Sequence, residues 1–273
     1  MKTITVGHTP DTDDAFMFYA LLNGKIDLLG LSFEDFLEPI TGLNMRAVSG
    51  YYDMTAVSVG YLPQVAQNYH VLTAGACMAE FRGPVLALNK KSMAKRIAVP
   101  GFNTTGYYAL KLFKPDVECH QVAFDQILPA VLAGTYDGGV IISEDQMRID
   151  ATRLDTVDLG KWWREETGLP LPLGVDVVKA CLPHTIQKRI NTVFKSSIQY
   201  ALSNTEEALH YALKFGRGID RVRAETFVKT FVSQYTCSLG EQGENAIRFF
   251  LEKCMSAQLF SQGNSITFVD GCE

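Results

Sequence analysis

The order of strand-like and helix-like segments constrains the fold of this chain more than any other feature of its sequence. Short apolar runs alternate with helical runs through the first two thirds, starting with a strand at Ile4–Val6 and a helix at Ala15–Leu22. A second series starts with the strand RIAVPG at Arg96, followed by a helix that begins at Thr104 or Thr105. Such alternation is typical of βαβ units. The sequence therefore predicts an α/β fold with mostly parallel, mixed sheets.

The same pattern predicts two lobes, since 273 residues suffice for two domains of ordinary size. Two strand-like segments, RGPVLALNKK near 82–91 and PLGVDVVKA near 172–180, are expected to cross between the lobes and form a hinge. We therefore assign residues 1–90 and 178–273, which include the C-terminal helices, to lobe 1, and residues 91–177 to an inserted lobe 2. A ligand cleft is expected between the two lobes.

The composition argues against several classes of function. Hydrophobic residues make up 47% of the chain and the formal charge is -5, so there is no basic excess of the kind that a nucleic-acid partner requires. The N-terminal stretch lacks the apolar run of a secretory signal, and no later run reaches membrane-spanning length. The cysteines and histidines lack the spacing of zinc sites. We expect a cytoplasmic protein without a nucleic-acid or membrane partner.

The segment GHTPDTDDAFMF, after the first strand, holds three aspartates within four positions, including Asp14. One interpretation is a helix start with acidic residues in the first turn. A second is a divalent-metal site, and a third is a carboxylate that binds a hydroxyl-rich ligand at the carboxyl end of the strand. His8 in the same segment is a candidate acid or base, or a hydrogen-bonding surface group.

Three further segments place polar residues where predicted strands end. Asn103, Thr104 and Thr105 open a helix, where they form either an anion site or a simple cap. Ser58 follows a buried strand in the other lobe, outside any G-x-S-x-G motif. Ser143 and Glu144 follow the strand GGVII in the segment GVIISEDQ, where they are either a strand terminus or a catalytic position.

Several motifs together resemble one enzyme family. They are T-P-x-x-x-D followed by F-x-F, IAVPG-x-x-T-T, FD-x-I-x-PAV-x-x-G, D-x-G-x-I-I and the long run DLG-x-WW-x-EETGLPLPLG. The chain resembles the 1,4-dihydroxy-6-naphthoate synthases of the futalosine route to menaquinone and, more distantly, the chorismate dehydratases. This resemblance implies a two-lobed periplasmic-binding-protein-like type II fold.

The resemblance also implies a lyase that opens cyclic dehypoxanthinylfutalosine in the cleft and releases the naphthoate, without a metal or organic cofactor. By position, Asp14 would contact substrate hydroxyls, Ser58 would line the first lobe, and Thr104 and Thr105 would bind the substrate carboxylate. The expected partner is thus a small anionic compound between the lobes.

The chain departs from the family pattern at one position. The family strand typically ends I-I-H-E with histidine as the proposed base, whereas this chain has Ser143 before Glu144. A serine hydroxyl does not accept a proton near neutral pH, and general-base assistance is worth about 10² to 10⁴ in rate. The base is then Glu144, Asp145 or His8, or the reaction is a different, dehydratase-like one, or the protein is a non-catalytic binder of small carboxylates.

Overall fold

The computed structural model describes residues 2–90, 92–142, 144–215, 220–260 and 265–269, and within them eleven strands form two sheets. The first sheet contains β1 (Lys2–His8), β2 (Leu31–Leu37), β3 (Met54–Ser58), β4 (Tyr69–Val71), β5 (Cys77–Ala79) and β11 (Leu171–Lys179). The second contains β6 (Val85–Asn89), β7 (Arg96–Val99), β8 (Glu118–Gln121), β9 (Gly138–Ile141) and β10 (Leu154–Asp158).

Both sheets are mixed, with parallel pairing around one strand and antiparallel pairing around another. The first sheet has the order β2-β1-β3-β11-β4, in which β1 is parallel to β2 and β3, and β11 is antiparallel to β3, β4 and β5. The second has the order β10-β6-β9-β7-β8, in which β7 is parallel to β8 and β9, and β6 is antiparallel to β9 and β10. The antiparallel strands β6 and β11 are the two segments predicted to cross between lobes.

Helices cover the sheets and continue into a C-terminal helical region. They are α1 (Thr12–Leu22), α2 (Ile40–Val48), α3 (Leu62–Val65), α4 (Thr105–Phe113), α5 (Ile127–Leu132), α6 (Leu159–Thr167), α7 (His184–Ser203), α8 (Thr205–Ala212), α9 (Arg221–Phe231), α10 (Gln234–Cys237) and α11 (Gly240–Ser256). None of the helices in the described ranges is long and apolar enough to cross a bilayer.

Helix α1 is apolar on nearly all sides because its sequence, AFMFYALL after the acidic first turn, leaves no polar stripe. It is buried among α7, α8 and α9, and the Phe18 ring lies 4.5 Å from the Phe194 ring of α7. In α7 the apolar residues Ile190, Phe194 and Ile198 recur every four positions, and all three are fully buried. This packing fixes the first turn of α1, and with it the acidic residues that follow β1.

The pairing bears on the predicted lobe boundaries. Strand β6 falls within the segment assigned to lobe 1, yet it pairs only with strands of the second sheet. Most of β11 falls within the segment assigned to lobe 2, yet it pairs with strands of the first sheet. The boundaries at residues 90 and 177 stay a prediction, and the sheet membership favours junctions just before β6 and just before β11. The described residues 265–269 join the first sheet through a bridge between Phe268 and Val71.

Phe194→Ala should lower the free energy of unfolding by about 3 to 5 kcal/mol, because it leaves a cavity between α7 and α1. Urea unfolding measures this loss. The matched control is Leu202→Ala on the same helix, where the side chain is 41% exposed and the expected change is within about 0.5 kcal/mol. Equal losses in the two variants would contradict the assignment of Phe194 to the core.

Candidate active site

A cavity with about 780 Å³ of empty space, its mouth included, lies where strand ends of the two sheets face one another. Its walls come from the segment after β1, the ends of β3 and β9, the start of α4, the strand β11, and α9. In open α/β sheets, ligands bind outside the carboxyl ends of the parallel strands. The described residues that line it are Thr9, Asp11, Asp13, Asp14, Ile40, Ala56, Val57, Ser58, Gly75, Cys77, Pro84, Thr105, Gly106, Phe124, Ile142, Leu173, Gly174, Val175, Asp176, Phe227 and Phe231.

The three aspartates after β1 all line this cavity at the start of α1. Asp11 occupies the N-cap position with an extended backbone, although its side chain does not cap the helix. The Thr9 N–H donates to Asp14 Oδ2 at 2.7 Å, and the Thr9 hydroxyl donates to Asp11 Oδ2 at 3.3 Å. The segment therefore folds back on itself, and it presents carboxyl groups to the cavity from the first turn of a helix.

His8 lies behind this acidic segment rather than on the cavity surface. It is the last residue of β1, it is 1% exposed, and its ring stacks on Phe18 at 4.5 Å. Its Nδ1 is 2.9 Å from the Thr9 carbonyl oxygen and its Nε2 is 3.6 Å from Asp35 Oδ2. The predicted loop position and the surface alternative are both wrong, because the side chain packs into the α1 side of the first sheet.

Ser58 lines the cavity and is held by a residue that the sequence analysis missed. Asn44 of α2 is fully buried, donates from Nδ2 to Ser58 Oγ at 3.0 Å, and accepts the Ser58 N–H at 2.9 Å. The same amide group donates to the Asn103 carbonyl at 2.8 Å, so it connects β3 to the segment before α4. The only sequence signal was a polar residue on the apolar face of a short helix.

The three polar residues at the start of α4 have different roles. Thr104 is fully buried and caps the helix, since its Oγ1 accepts the Tyr107 N–H at 3.3 Å. The Asn103 amide donates to the Thr41 carbonyl at 3.1 Å. Neither Asn103 nor Thr104 is among the residues that line the cavity. Thr105 does line the cavity, but its hydroxyl donates to the Leu173 carbonyl at 2.6 Å and accepts the Gly60 N–H at 3.1 Å.

The segment at the end of β9 is described in part. Ser143 lies outside the described residues. Glu144 begins a short 3₁₀ turn, Glu144–Arg148, directly after a stretch whose Ile142 lines the cavity. This turn packs against α9 from the other half of the molecule.

Asp176 is a cavity residue that the sequence analysis missed. It lies in the middle of β11, is 2% exposed, and its Oδ1 has no hydrogen-bond partner within the described chain. The segment PLGVDVVKA could have indicated this residue, because one acidic residue interrupts a run of buried β-branched residues there. Buried carboxyl groups are rare in such strands unless they are paired or functional.

Burial and mutual repulsion govern the charges of the cavity. Burial raises the pKa of Asp14, and attraction to His8 and the hydrogen bond from Thr9 oppose that rise. Burial is the larger cause and repulsion from Asp14 the smaller cause that raise the pKa of Asp176 well above its ordinary value. Burial, with repulsion from Asp13 and Asp14, likewise raises the pKa of the Cys77 thiol well above its ordinary value. Both shifts favour the neutral forms of Asp176 and Cys77, whereas His8 and Thr9 stabilise the ionised form of Asp14.

Aromatic rings complete the apolar part of the cavity. Phe124 approaches from the second half of the molecule, and Phe227 and Phe231 from α9, with their ring centroids 4.7 Å apart. Within the described residues, no group of three or more histidine, cysteine, aspartate or glutamate side chains is arranged to hold a metal ion. The cavity thus combines carboxyl groups and a helix start with aromatic walls, which suits a planar ligand that carries hydroxyl and carboxylate groups.

Known proteins similar to this chain match it over nearly its whole length. A family model described as menaquinone biosynthesis matches residues 4–256. A 1,4-dihydroxy-6-naphthoate synthase from Thermus thermophilus is 33% identical over 257 residues, covering 92% of this chain and 94% of that protein. A solved structure from Archaeoglobus fulgidus is 37% identical, with a TM-score of 0.90, over 94% of this chain and 98% of that one.

A more distant structure bears on the fold alone. A Candida albicans protein described as having the generic periplasmic binding protein fold is 15% identical, with a TM-score of 0.64, over 97% of each chain. The two sheets described above and this likeness together confirm the predicted two-lobed, periplasmic-binding-protein-like fold.

Asp176→Asn should stabilise the protein more at alkaline than at acidic pH. An unfolded aspartate has a pKa of about 3.9, and above that pH the unfolded chain releases a proton that folded Asp176 retains. The wild type therefore loses stability as the pH rises toward the folded pKa, by about 1.4 kcal/mol for each tenfold difference in acid dissociation constant. The asparagine variant lacks this loss.

Urea unfolding at about pH 4 and about pH 8 measures the effect. The unfolded aspartate begins to release its proton near the lower pH and has released it at the higher one. The control is Asp116→Asn, at an exposed turn position, where the difference from wild type should not change with pH. A stability difference for Asp176→Asn that stays constant over this range would contradict a neutral, buried carboxyl group.

Proposed function

Because the chain belongs to the menaquinone-biosynthesis family and to its 1,4-dihydroxy-6-naphthoate synthases, we propose that it is a carbon–carbon lyase. Its substrate is cyclic dehypoxanthinylfutalosine, which it opens to release 1,4-dihydroxy-6-naphthoate. The observation that carries the proposal is a single cavity that combines Asp14, the start of α4 and the phenylalanine rings. These groups complement the hydroxyl, carboxylate and aromatic parts of the substrate.

The start of α4 suits the carboxylate of this substrate. The first N–H groups of a helix have no partner inside the helix, and the macrodipole favours a negative charge there. Thr105 and Gly106 hold those positions and line the cavity. Gly106 has no side chain to cover the amides, and a Cβ at this residue would lie 2.8 Å from Ile142 Cγ2.

The apolar walls suit the bicyclic ring. Phe124 and Phe231 line the cavity from its two sides, and aromatic groups gain from offset or edge-to-face contacts beyond the burial of area. Groups from both halves of the molecule would then enclose one ligand, as in other proteins whose lobes close on a substrate.

Asp14 is the base that the geometry supports best. Its carboxylate accepts the Thr9 N–H, is attracted electrostatically by His8, and faces the cavity. In this proposal Asp14 takes a proton from a substrate hydroxyl, and His8 acts only through Asp14 because its ring is buried elsewhere. Glu144 and Asp145 are alternative bases, because they follow the cavity residue Ile142 in the chain.

A second candidate function is the binding of a small carboxylate without turnover. The observation that favours it is Ser143, which stands where the family strand typically has its histidine. The likeness to the periplasmic binding protein fold also supports this alternative.

Purified protein incubated with cyclic dehypoxanthinylfutalosine should release 1,4-dihydroxy-6-naphthoate, detected by mass spectrometry. Asp14→Asn should lower kcat by about 10² to 10⁴, the usual effect of losing a general base, while Asp116→Asn should leave it unchanged. Calorimetric binding without product in the wild type would reject the lyase and support the binding protein.

Ser143→His should raise kcat if the reaction is that of the family, because it restores an imidazole that can accept a proton near neutral pH. The same assay measures this change, with Glu144→Gln as the comparison. If Ser143→His leaves kcat unchanged and Glu144→Gln abolishes turnover, then the base is Glu144 and the role given to Asp14 is wrong.

A further inference from the structure

Asp176 occupies a buried position at which a carboxyl group is unfavourable unless it interacts with a ligand. It lies in the central antiparallel strand of the first sheet, 2% exposed, and it lines the cavity. Its Oδ1 has no hydrogen-bond partner in the described ranges. A polar atom buried without a partner destabilises the folded state, so the presence of this one points to a partner that arrives with the ligand.

The position of the carboxyl group is fixed by Gly75. A Cβ at Gly75, whose φ is +92°, would lie 2.4 Å from Asp176 Oδ2 and 2.3 Å from the Phe194 ring. The absence of a side chain at Gly75 therefore makes room for both Oδ2 and the Phe194 ring. Oδ1 is the oxygen left for a ligand in the cavity.

The surroundings of Asp176 favour the protonated form of its carboxyl group. The other titratable side chains that line the cavity are Asp11, Asp13 and Asp14 at the start of α1 and Cys77 of β5, and no lysine or arginine is among the described lining residues. Burial and the negative charge of Asp14 both raise the pKa of Asp176. A neutral carboxyl group is a hydrogen-bond donor and a proton donor, whereas an ionised carboxylate only accepts hydrogen bonds.

We propose that Asp176 is the general acid of this site and donates its carboxyl proton to the substrate oxygen that gains negative charge when the carbon–carbon bond breaks. The inference rests on the proposed function and deepens it. Asp14 removes the first proton, and the inference assigns the donation of the second proton to Asp176.

The proton and electron balance closes without an oxidant, a reductant or a co-reactant. Asp14 removes the proton of a hydroxyl group, and the electrons of that O–H bond form the carbonyl of the sugar-derived fragment. The electron pair of the breaking carbon–carbon bond moves through the ring to a ketone oxygen, which takes the proton of Asp176 and becomes a phenolic hydroxyl. One proton then returns from Asp14 to Asp176 through water as the products leave.

Asp176→Asn should lower kcat by about 10² to 10⁴, the range for loss of a general acid, with KM little changed. The wild-type rate should fall at alkaline pH as Asp176 ionises, and this alkaline limb should be absent from the residual rate of the variant. Circular dichroism checks that the variant is folded, and Asp116→Asn is the matched control. A variant that keeps the wild-type kcat and alkaline limb, or that changes KM alone, would overturn the proposal.

An infrared measurement tests the same group without substrate, so its result is separate from that of the proposed function. Wild-type protein at neutral pH should show the carbonyl band of a protonated carboxylic acid, and Asp176→Asn should lack it. In Asp14→Asn the band should disappear at a lower pH than in the wild type, because the repulsion from Asp14 is gone. If no such band exists in the wild type, Asp176 is ionised and the inference fails, whether or not the protein turns over the substrate.

Discussion

The Thr105 hydroxyl group joins the two sheets beside the cavity, and the geometry of the site depends on this joint. It donates to the Leu173 carbonyl of β11 at 2.6 Å and accepts the Gly60 N–H, just after β3, at 3.1 Å. Thr105 itself begins the helix that follows β7 of the other sheet. Because the single hydroxyl proton is used within the protein, an anion at this helix start has to be bound by backbone N–H groups.

A second joint lies at Asn44, whose amide group holds Ser58 and the Asn103 carbonyl together. Close packing supports both joints: a Cβ at Gly60 would lie 2.3 Å from the Tyr108 ring, and a Cβ at Gly101 would lie 2.7 Å from Thr41 Cγ2. Buried hydrogen bonds of this kind strengthen at low local dielectric and fix one arrangement of the groups they connect. These hydrogen bonds within the protein consequently fix the cavity walls relative to one another without the help of a ligand.

The distribution of charge makes a cavity with four aspartates compatible with the anionic ligand proposed above. Two features reduce the negative charge of the cavity: burial favours the neutral form of Asp176, and the Thr9 N–H and His8 stabilise the negative charge of Asp14. His8 is in turn placed near Asp35, whose pKa is lowered by that histidine. In the proposed complex, the ligand carboxylate is bound at the start of α4, away from the acidic segment, and the ligand hydroxyl groups contact the aspartates.

Apolar periodicity and turn residues act locally, so the sequence sufficed to predict the strands at Ile4–Val6 and at Arg96 and the helix at Ala15–Leu22, all of which are present. It also placed Asp14, Ser58 and Thr105 at strand ends, because the carboxyl ends of parallel strands gather at one edge. Which side chains reach the cavity follows only from the fold in three dimensions. Thr104 caps its helix, His8 packs into the core, and Asp176 enters the site from an antiparallel strand that no rule for parallel strands includes. The reason is physical: the direction and charge state of a side chain depend on neighbours distant in sequence, such as Gly75 and Phe194 around Asp176.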